Sequence, residues 1–323
     1  GMNAFAMMAI PFFIYSGDLM IRGGIAERLI AFAASLVGHL RGGLGQVNVL
    51  TSTLFGGISG SAVADASAVG GLMIPQMVKR GYDADYAVNV TANAAIIALL
   101  IPPSHNMIIY SLAAGGKVSI AALILAGLVP ALILTLCNLA AAYAVAVKRG
   151  YPPGKFPGWD MVFWSFVASL PGLFVVVIII AGILSGVFTA TESASVAVIY
   201  ALLMTTLVYR SLSWENFLRA AAKAAKTTGT ILLLIGVSAT FGYLISLYSV
   251  AELTGKALSA ISTTPWVIFF MVNLILFILG TFLDMAATIL ICTPIFLPIC
   301  QQVGMDPVQF GMVMLINCAL GLN

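Results

Sequence analysis

The chain has 323 residues, of which 61% are hydrophobic and only 8% charged, with a mean hydropathy of +1.10. A soluble domain carries charge on about a quarter of its residues, so the composition excludes one and indicates a polytopic α-helical membrane protein. The formal net charge of +3 says little as a total, because in such proteins the placement of Lys and Arg carries the information. Cys137, Cys292, Cys300 and Cys318 lie in apolar runs without a CxxC pair and read as small buried hydrophobes, not as a disulfide or metal framework. No Walker-type loop (G-x-x-x-x-G-K-S/T) is present, which excludes ATP binding of that kind. The chain starts and stops inside hydrophobic runs and reads as a piece of a longer protein.

In chain order, the apolar run Asn3 to Met20 leads into a helical pattern from about Ile25 to Leu40. Arg22, Glu27, Arg28 and Arg41 give it a cationic rim suited to an arm in the membrane interface. Gly43 to Phe55 and Ser61 to Val78 are each shorter than the ~20 residues of a comfortable crossing. Joined at Ser59-Gly60, they predict a re-entrant helical hairpin. Ala87 to Ala114 is long enough to cross, but Pro102-Pro103-Ser104-His105-Asn106 removes backbone donors and frees carbonyls, so this crossing should be broken at depth.

Ile120 to Val147 crosses again, and the proline-rich loop Tyr151 to Trp159 marks the clearest boundary. Met161 to Phe188 and Ala190 to Val208 form two further crossings, with Trp159 and Trp164 as interface anchors. A basic amphipathic stretch, Ser213 to Lys226, feeds the crossing Thr227 to Leu247. A short helix with Glu252 and Lys256 follows, then Trp266 to Leu279, the step Gly280 to Asp284, and Ile289 to Ile299.

The end of the chain repeats its beginning. With Pro75 set on Pro298, Gly57 falls on Gly280, Ala64 on Ala287, Gly81 on Gly304 and Asp83 on Asp306. Farther upstream, after a two-residue shift, Gly17 falls on Gly242 and Glu27 on Glu252. Matched Asp, Glu, Gly and Pro are scarcer than matched Leu, which weighs against chance. If both hairpin legs enter and leave by one side, twelve of the basic residues share that side and only Lys117 and Lys256 lie opposite, which makes the first side cytoplasmic. The two halves then have inverted topology, as in many secondary transporters. The expected fold class is thus an all-α polytopic membrane protein with inverted repeats, two re-entrant helical hairpins and broken helices.

The hairpin tips should meet near the midplane, where helix N-termini can face an anionic substrate and unwound carbonyls or side-chain oxygens can hold a hard cation such as Na⁺. Gly57 to Pro75 is the main interruption of the hydrocarbon, and a carboxylate there, Asp65, should face a water- or ion-filled cavity. The first half offers Ser59, Ser61, Asp65, Asn93, Ser104 and Asn106; the second offers Thr281, Asp284, Thr288 and Asn317.

Several segments together resemble the large membrane subunit of TRAP (tripartite ATP-independent periplasmic) transporters, the DctM-type permeases. They are GGISGSAVADASAVGGLMIP, PPSHNMIIYSLAAGG, VFTATESASVAVIYALL, FLDMAATILICTPIFLPI and the final INCALGLN. The resemblance covers essentially the whole chain. It implies a sodium-coupled elevator in the bacterial inner membrane, not an enzyme. It also implies a small four-helix membrane subunit and a periplasmic binding protein that delivers an organic acid: a dicarboxylate, sugar acid or keto acid. On that reading, 1–42 is a scaffold helix and interfacial arm, and 43–147 the first half of a transport domain with the cytoplasmic-side hairpin. Residues 148–262 are loop, scaffold and second arm, and 263–323 are the second half with the periplasmic-side hairpin.

By motif position, substrate would meet Ser59, Gly60, Ser61, Ser104, His105, Asn106, Thr281 and Asp284. One sodium site would draw on Ser59, Ser61, Asp65, Asn93 and Pro102, the other on Gly280, Asp284, Thr288 and Asn317. The family's closing TPPVG-like break is absent, so the second site is incomplete. His105 stands where many relatives carry an aliphatic residue, leaving its role open between substrate contact and a hydrogen-bonded helix break. Glu192 fits a helix cap better than a transport role. The rival readings are a stand-alone sodium/carboxylate symporter, a passive channel, and an intramembrane aspartyl protease with Asp65 and Asp284 as its pair. The last lacks the expected GxGD, since Gly280 to Asp284 reads GTFLD.

Overall fold

The computed structural model describes residues 7–102 and 104–321, so Gly1 to Ala6, Pro103 and the last two residues lie outside it. The described residues are helical throughout, with no strand longer than a single bridge. The first half holds α1 (Ala9–Arg22), α2 (Ile25–Val37), α3 (Gly43–Ser59), α4 (Ala62–Lys79), α5 (Ala84–Ala95) with a 3₁₀ turn (Ile96–Leu99), and α6 (His105–Ala113). Then come α7 (Ile120–Lys148), α8 (Trp159–Leu184) and α9 (Ala190–Leu203), which closes with a π turn at Met204–Val208. The chain continues with α10 (Trp214–Leu247), α11 (Val250–Ile261), α12 (Pro265–Phe282), α13 (Met285–Gln302) and α14 (Pro307–Gly321). Among the described residues, six helices are long and apolar enough to cross a membrane: α7, α8, α9 with its π turn, α10, α12 and α13.

The repeat reappears element by element. Arms α2 and α11 have 13 and 12 residues, legs α3 and α12 have 17 and 18, and legs α4 and α13 have 18 each. The aligned residues Ser61 and Asp284 are the N-caps of the second legs, and Asp83 and Asp306 stand just before α5 and α14. Pro75 and Pro298 both sit inside the second legs.

Differences from the sequence reading are local. The basic stretch Ser213 to Lys226 runs without a break into the crossing it feeds, the two forming α10, a single 34-residue helix, because no Gly or Pro interrupts it before Gly229. Helix α8 ends at Leu184, four residues short of the expected Phe188, because Gly186 turns left-handed and Phe188 N donates back to Gly182 O. Cys137 is exposed, unlike the other three cysteines. Glu192 closes a capping box, its carboxylate accepting from Thr189 N while Thr189 Oγ1 accepts from Glu192 N.

Helix α1 packs between α9 and α10. There Asp18, 4% exposed, receives Arg22 Nε at 2.6 Å and Lys223 Nζ at 2.7 Å. The Arg28 guanidinium lies 3.7 Å from the centroid of the Tyr209 ring, and Ser211 Oγ donates to Gly23 O. Arm α2 lies on α8, with Ser35 and Ser165 hydroxyls 2.9 Å apart.

On the side rich in basic residues, outside the apolar spans, Arg149 at the end of α7 grips Asp85 with both nitrogens and Asp83 with one, at 2.7–2.8 Å. Tyr151 also donates to Asp83. The Tyr151 and Arg149 hydrogen bonds hold the Asp83 carboxyl below its usual range, and Arg149 pulls Asp85 down to about 2. The prolines of 151–158 keep the loop extended, and it lies as a strap over the α2–α3 joint. Pro153 bridges Arg41, and Phe156 meets the His39 ring edge-on.

Candidate functional site

The first hairpin turns in two residues. Gly60 takes φ +57°, where a side chain is strained, and Ser61 swings to an extended conformation to start α4, its Oγ accepting from Ala64 N at 3.4 Å. Ser59 Oγ reaches only to 3.5 Å from the Ser61 backbone. Missing side chains let this tip sink into the protein. A Cβ on Gly56 would stand 2.6 Å from Ala98 Cα of the 3₁₀ turn, and one on Gly57 would strike Val176 of α8. Gly17 of α1 covers the same tip, so close that its Cβ would lie 3.0 Å from Ile58 O.

Asp65 stands one turn into α4 and is fully buried. Neither carboxylate oxygen has a hydrogen-bond partner among the described residues. Ser52 of α3 is its polar neighbour, yet Ser52 Oγ and the adjacent Thr51 Oγ1 also lack partners by geometry. A buried carboxylate with nothing to neutralise it costs several kcal/mol. Asp65 and Ser52, with Thr51 next to Ser52 in the chain, supply oxygen donors of the kind a hard cation takes. Among the described residues no group of three or more His, Cys, Asp or Glu could hold a metal ion.

The break after the 3₁₀ turn runs through Pro102, which is buried, to Ser104, which is extended and begins α6. Ser104 Oγ is buried and unpartnered, and Asn106 is 3% exposed. His105 is half-buried and lies within electrostatic reach of Asp284, which brings the break of the first repeat to the tip of the second. Helix α6 packs on α13, and the buried Tyr110 donates to Pro307 O at 2.6 Å.

The second hairpin turns at Leu283 and Asp284. Asp284 accepts from Ala286 N at 3.0 Å, and the buried Thr288 donates to Asp284 O. Thr281 is exposed and donates to Phe277 O. Glycine again permits backbone contact: a Cβ on Gly280 would lie 3.0 Å from Cys318 Cα, and one on Gly321 would lie 2.7 Å from Gly280 C. Asn317 donates to Val313 O and to Asn273 Oδ1, tying α14 to α12.

The structure thus gathers Ser59, Gly60 and Ser61 at one tip, and Gly280, Thr281, Asp284 and Thr288 at the other, with Ser104, His105 and Asn106 beside the second. Asn93 lies on the exposed face of α5, its amide donating to Asn89 O. Asp65 and Asp284 belong to different surroundings, one enclosed by α3 and α4, the other exposed as a helix cap. Thr51 and Ser52 went unnoticed in the sequence, although the polar triplet Thr51-Ser52-Thr53 inside an apolar leg was the available signal.

A family model described as "Tripartite ATP-independent periplasmic transporter, DctM component" matches residues 1–323. The uncharacterized protein YgiK of Salmonella typhimurium is 42% identical over 322 residues, covering all of this chain and 74% of YgiK. The sialic acid TRAP transporter large permease protein SiaM of Vibrio cholerae is 38% identical, covering all of this chain and 75% of SiaM. The 2,3-diketo-L-gulonate TRAP transporter large permease protein YiaN of Escherichia coli is 34% identical with the same coverage of both chains.

Proposed function

The chain belongs to the family of the DctM component of tripartite ATP-independent periplasmic transporters, and from that premise we propose that it couples inward sodium movement to the uptake of an organic acid. The family consists of large permeases of the inner membrane that carry out secondary transport of organic acids, and it is not a family of enzymes. The observation that carries sodium coupling is the buried Asp65 facing Ser52, its carboxylate oxygens unpartnered among the described residues. Sodium bound there supplies the missing positive charge and draws the two legs of the first hairpin together. Ser59, Ser61 and the backbone of the Pro102 break extend the same oxygen-lined region, while Gly280, Asp284, Thr288 and Asn317 serve a second ion. With the ions in place, the N-termini of α4, α6 and α13 turn partial positive charge toward a substrate carboxylate. Ser104 Oγ, which has no partner among the described residues, is placed to donate to it.

Transport is by an elevator: both hairpins, α5 to α7 and α14 slide as one body against α1, α8, α9 and α10. The two hairpins are re-entrant, the first opening to the cytoplasm and the second to the periplasm. Two partners complete the system. A small four-helix membrane subunit covers the apolar faces of α8 and α9, where Phe163, Trp164, Phe174 and Ile199 are exposed. A periplasmic binding protein delivers substrate near Glu252 to Pro265 and the mouth of the second hairpin.

The test is uptake by the permease reconstituted with both partners, with sodium varied. Asp65→Ala and Ser61→Ala should insert normally yet raise the sodium concentration needed for half-maximal uptake at least tenfold. Unchanged sodium activation in both variants would refute the site. Full uptake of free substrate by the chain alone would replace the tripartite reading with a stand-alone symporter.

A further inference from the structure

A cavity of about 440 Å³ lies on the basic-rich side, away from the hairpin tips, where the strap 151–158 crosses the α2–α3 joint. Its walls come from every part that meets there. Arm α2 contributes Ala31 and Ala34, the first hairpin Leu44 and Val47, and α8 contributes Met161. The strap closes one side with three prolines, and the rim carries two cations, Arg80 and Lys155.

The charge of this rim is uncompensated. No acidic residue lines the cavity. Among the described residues, neither Arg80 nor Lys155 forms an ion pair. Asp83 and Asp85, which follow Arg80 in the same turn, are both committed to Arg149. Two unpaired cations above an apolar chamber present charge to an anionic head and hydrocarbon to a tail. Basic pockets between helices on the cytoplasmic face of a membrane favour such ligands. We propose that this cavity is a binding site for an anionic phospholipid, its phosphate held by Arg80 and Lys155 and the start of an acyl chain laid against Ala31, Ala34 and Met161.

Another cavity, beside Arg28, offers less. It is of similar size, but its Arg28 is spent on the carbonyls of Gly23 and Gly24 and on the Tyr209 ring, and Glu27 lines it as well.

The lipid would have a mechanical consequence, because the chamber is bounded at once by the arm, the hairpin and the strap. A bound lipid wedges the α2–α3 joint at a fixed opening. This consequence rests on the elevator reading, whereas the binding itself does not, and the experiment therefore reads binding.

The full chain, purified in mild detergent, is titrated with phosphatidylglycerol or phosphatidylcholine micelles, and bound lipid is counted by native mass spectrometry. Phosphatidylglycerol should bind at least tenfold more tightly than phosphatidylcholine. Arg80→Gln with Lys155→Gln should weaken it about thirtyfold, since each basic side chain near an anionic surface contributes about 1 kcal/mol. Arg219→Gln with Lys226→Gln, which removes equal charge elsewhere, should leave binding unchanged. Ala34→Phe, which fills the chamber without touching its charge, should also expel the lipid. Equal affinity for both lipids, or a double variant at Arg80 and Lys155 that binds as wild type, would overturn the proposal. So would displacement by glycerol phosphate at the concentration at which phosphatidylglycerol competes, since that would make the ligand a free phosphate.

Discussion

Replacing Gly321 by alanine tests whether the second hairpin tip is held by direct backbone contact. The new Cβ would lie 2.7 Å from Gly280 C and 2.9 Å from both Phe277 O and Thr281 N. All three are backbone atoms, so no rotamer change can absorb the methyl group, and α12 and α14 must separate by several tenths of an ångström. Overpacking of this kind costs about 1–3 kcal/mol. At roughly 2 °C per kcal/mol for a chain of this size, Tm should fall by roughly 2–6 °C. Gly236→Ala supplies the opposite case: Gly236 is interior to α10 with nothing within 4 Å of its missing side chain. Alanine there gains up to ~1 kcal/mol of helix propensity, so its Tm should hold or rise. Maleimide labelling of the buried Cys292, Cys300 and Cys318 during heating reports unfolding, over a constant signal from the exposed Cys137. If Gly321→Ala melts no lower than Gly236→Ala, the close tip contact is wrong.

Three further outcomes follow from the same geometry. Asp18→Ala and Lys223→Ala, combined in a double-mutant cycle of Tm, should show a coupling of about 1 kcal/mol, less than a fully enclosed pair because Lys223 is 51% exposed; strict additivity would exclude a working ion pair. The Asp85 carboxyl is depressed by Arg149 to about 2, so its contribution is complete above its unfolded value near 3.8 and is lost as pH falls through about 2. Pepsin should therefore cut the strap slowly at pH 4 and faster toward pH 2, while Arg149→Gln should speed tryptic cleavage at Lys155 several-fold already at neutral pH. Thr189→Ala should cost about 1 kcal/mol of thermal stability and Thr189→Ser almost nothing, because only the hydroxyl caps α9.

Much of the architecture was legible because membrane helices announce themselves by length and their breaks by Pro, Gly and polar steps. The first hairpin was visible as two legs too short to cross, and the structure ends them within a few residues of the expected places. The repeat was visible because Asp and Pro are rare in such a chain, and Asp83 and Asp306 indeed stand at matching helix starts. Other features depended on packing that no local pattern encodes. The spacing puts Asp65 about one helical turn past the Ser59 to Ser61 step, where it stands, but gives no sign that it faces Ser52. Asn93 is one of the polar residues the first half offers, and no local pattern shows that α5 carries it on an exposed face. The ties among Asp18, Lys223, Arg28 and Tyr209 join residues distant in sequence, and their polar character alone said nothing of partners.

The π turn at Met204–Val208 carries one residue more than an α-helical turn requires, and Tyr209 N accordingly donates to Met204 O five residues back. That surplus advances everything after it by one step around the axis, about 100°. The advance swings Tyr209 beneath Arg28 and sets Ser211 against Gly23 O, while Thr205 fills the space left by the missing side chain of Gly23. Deleting a single residue there would leave an equally good helix but aim Tyr209 elsewhere and unfasten α2 from α9. What that turn fixes is its count: between Ala201 and Ser211, related chains should admit neither gap nor insertion, whatever side chains they carry away from Thr205, Tyr209 and Ser211.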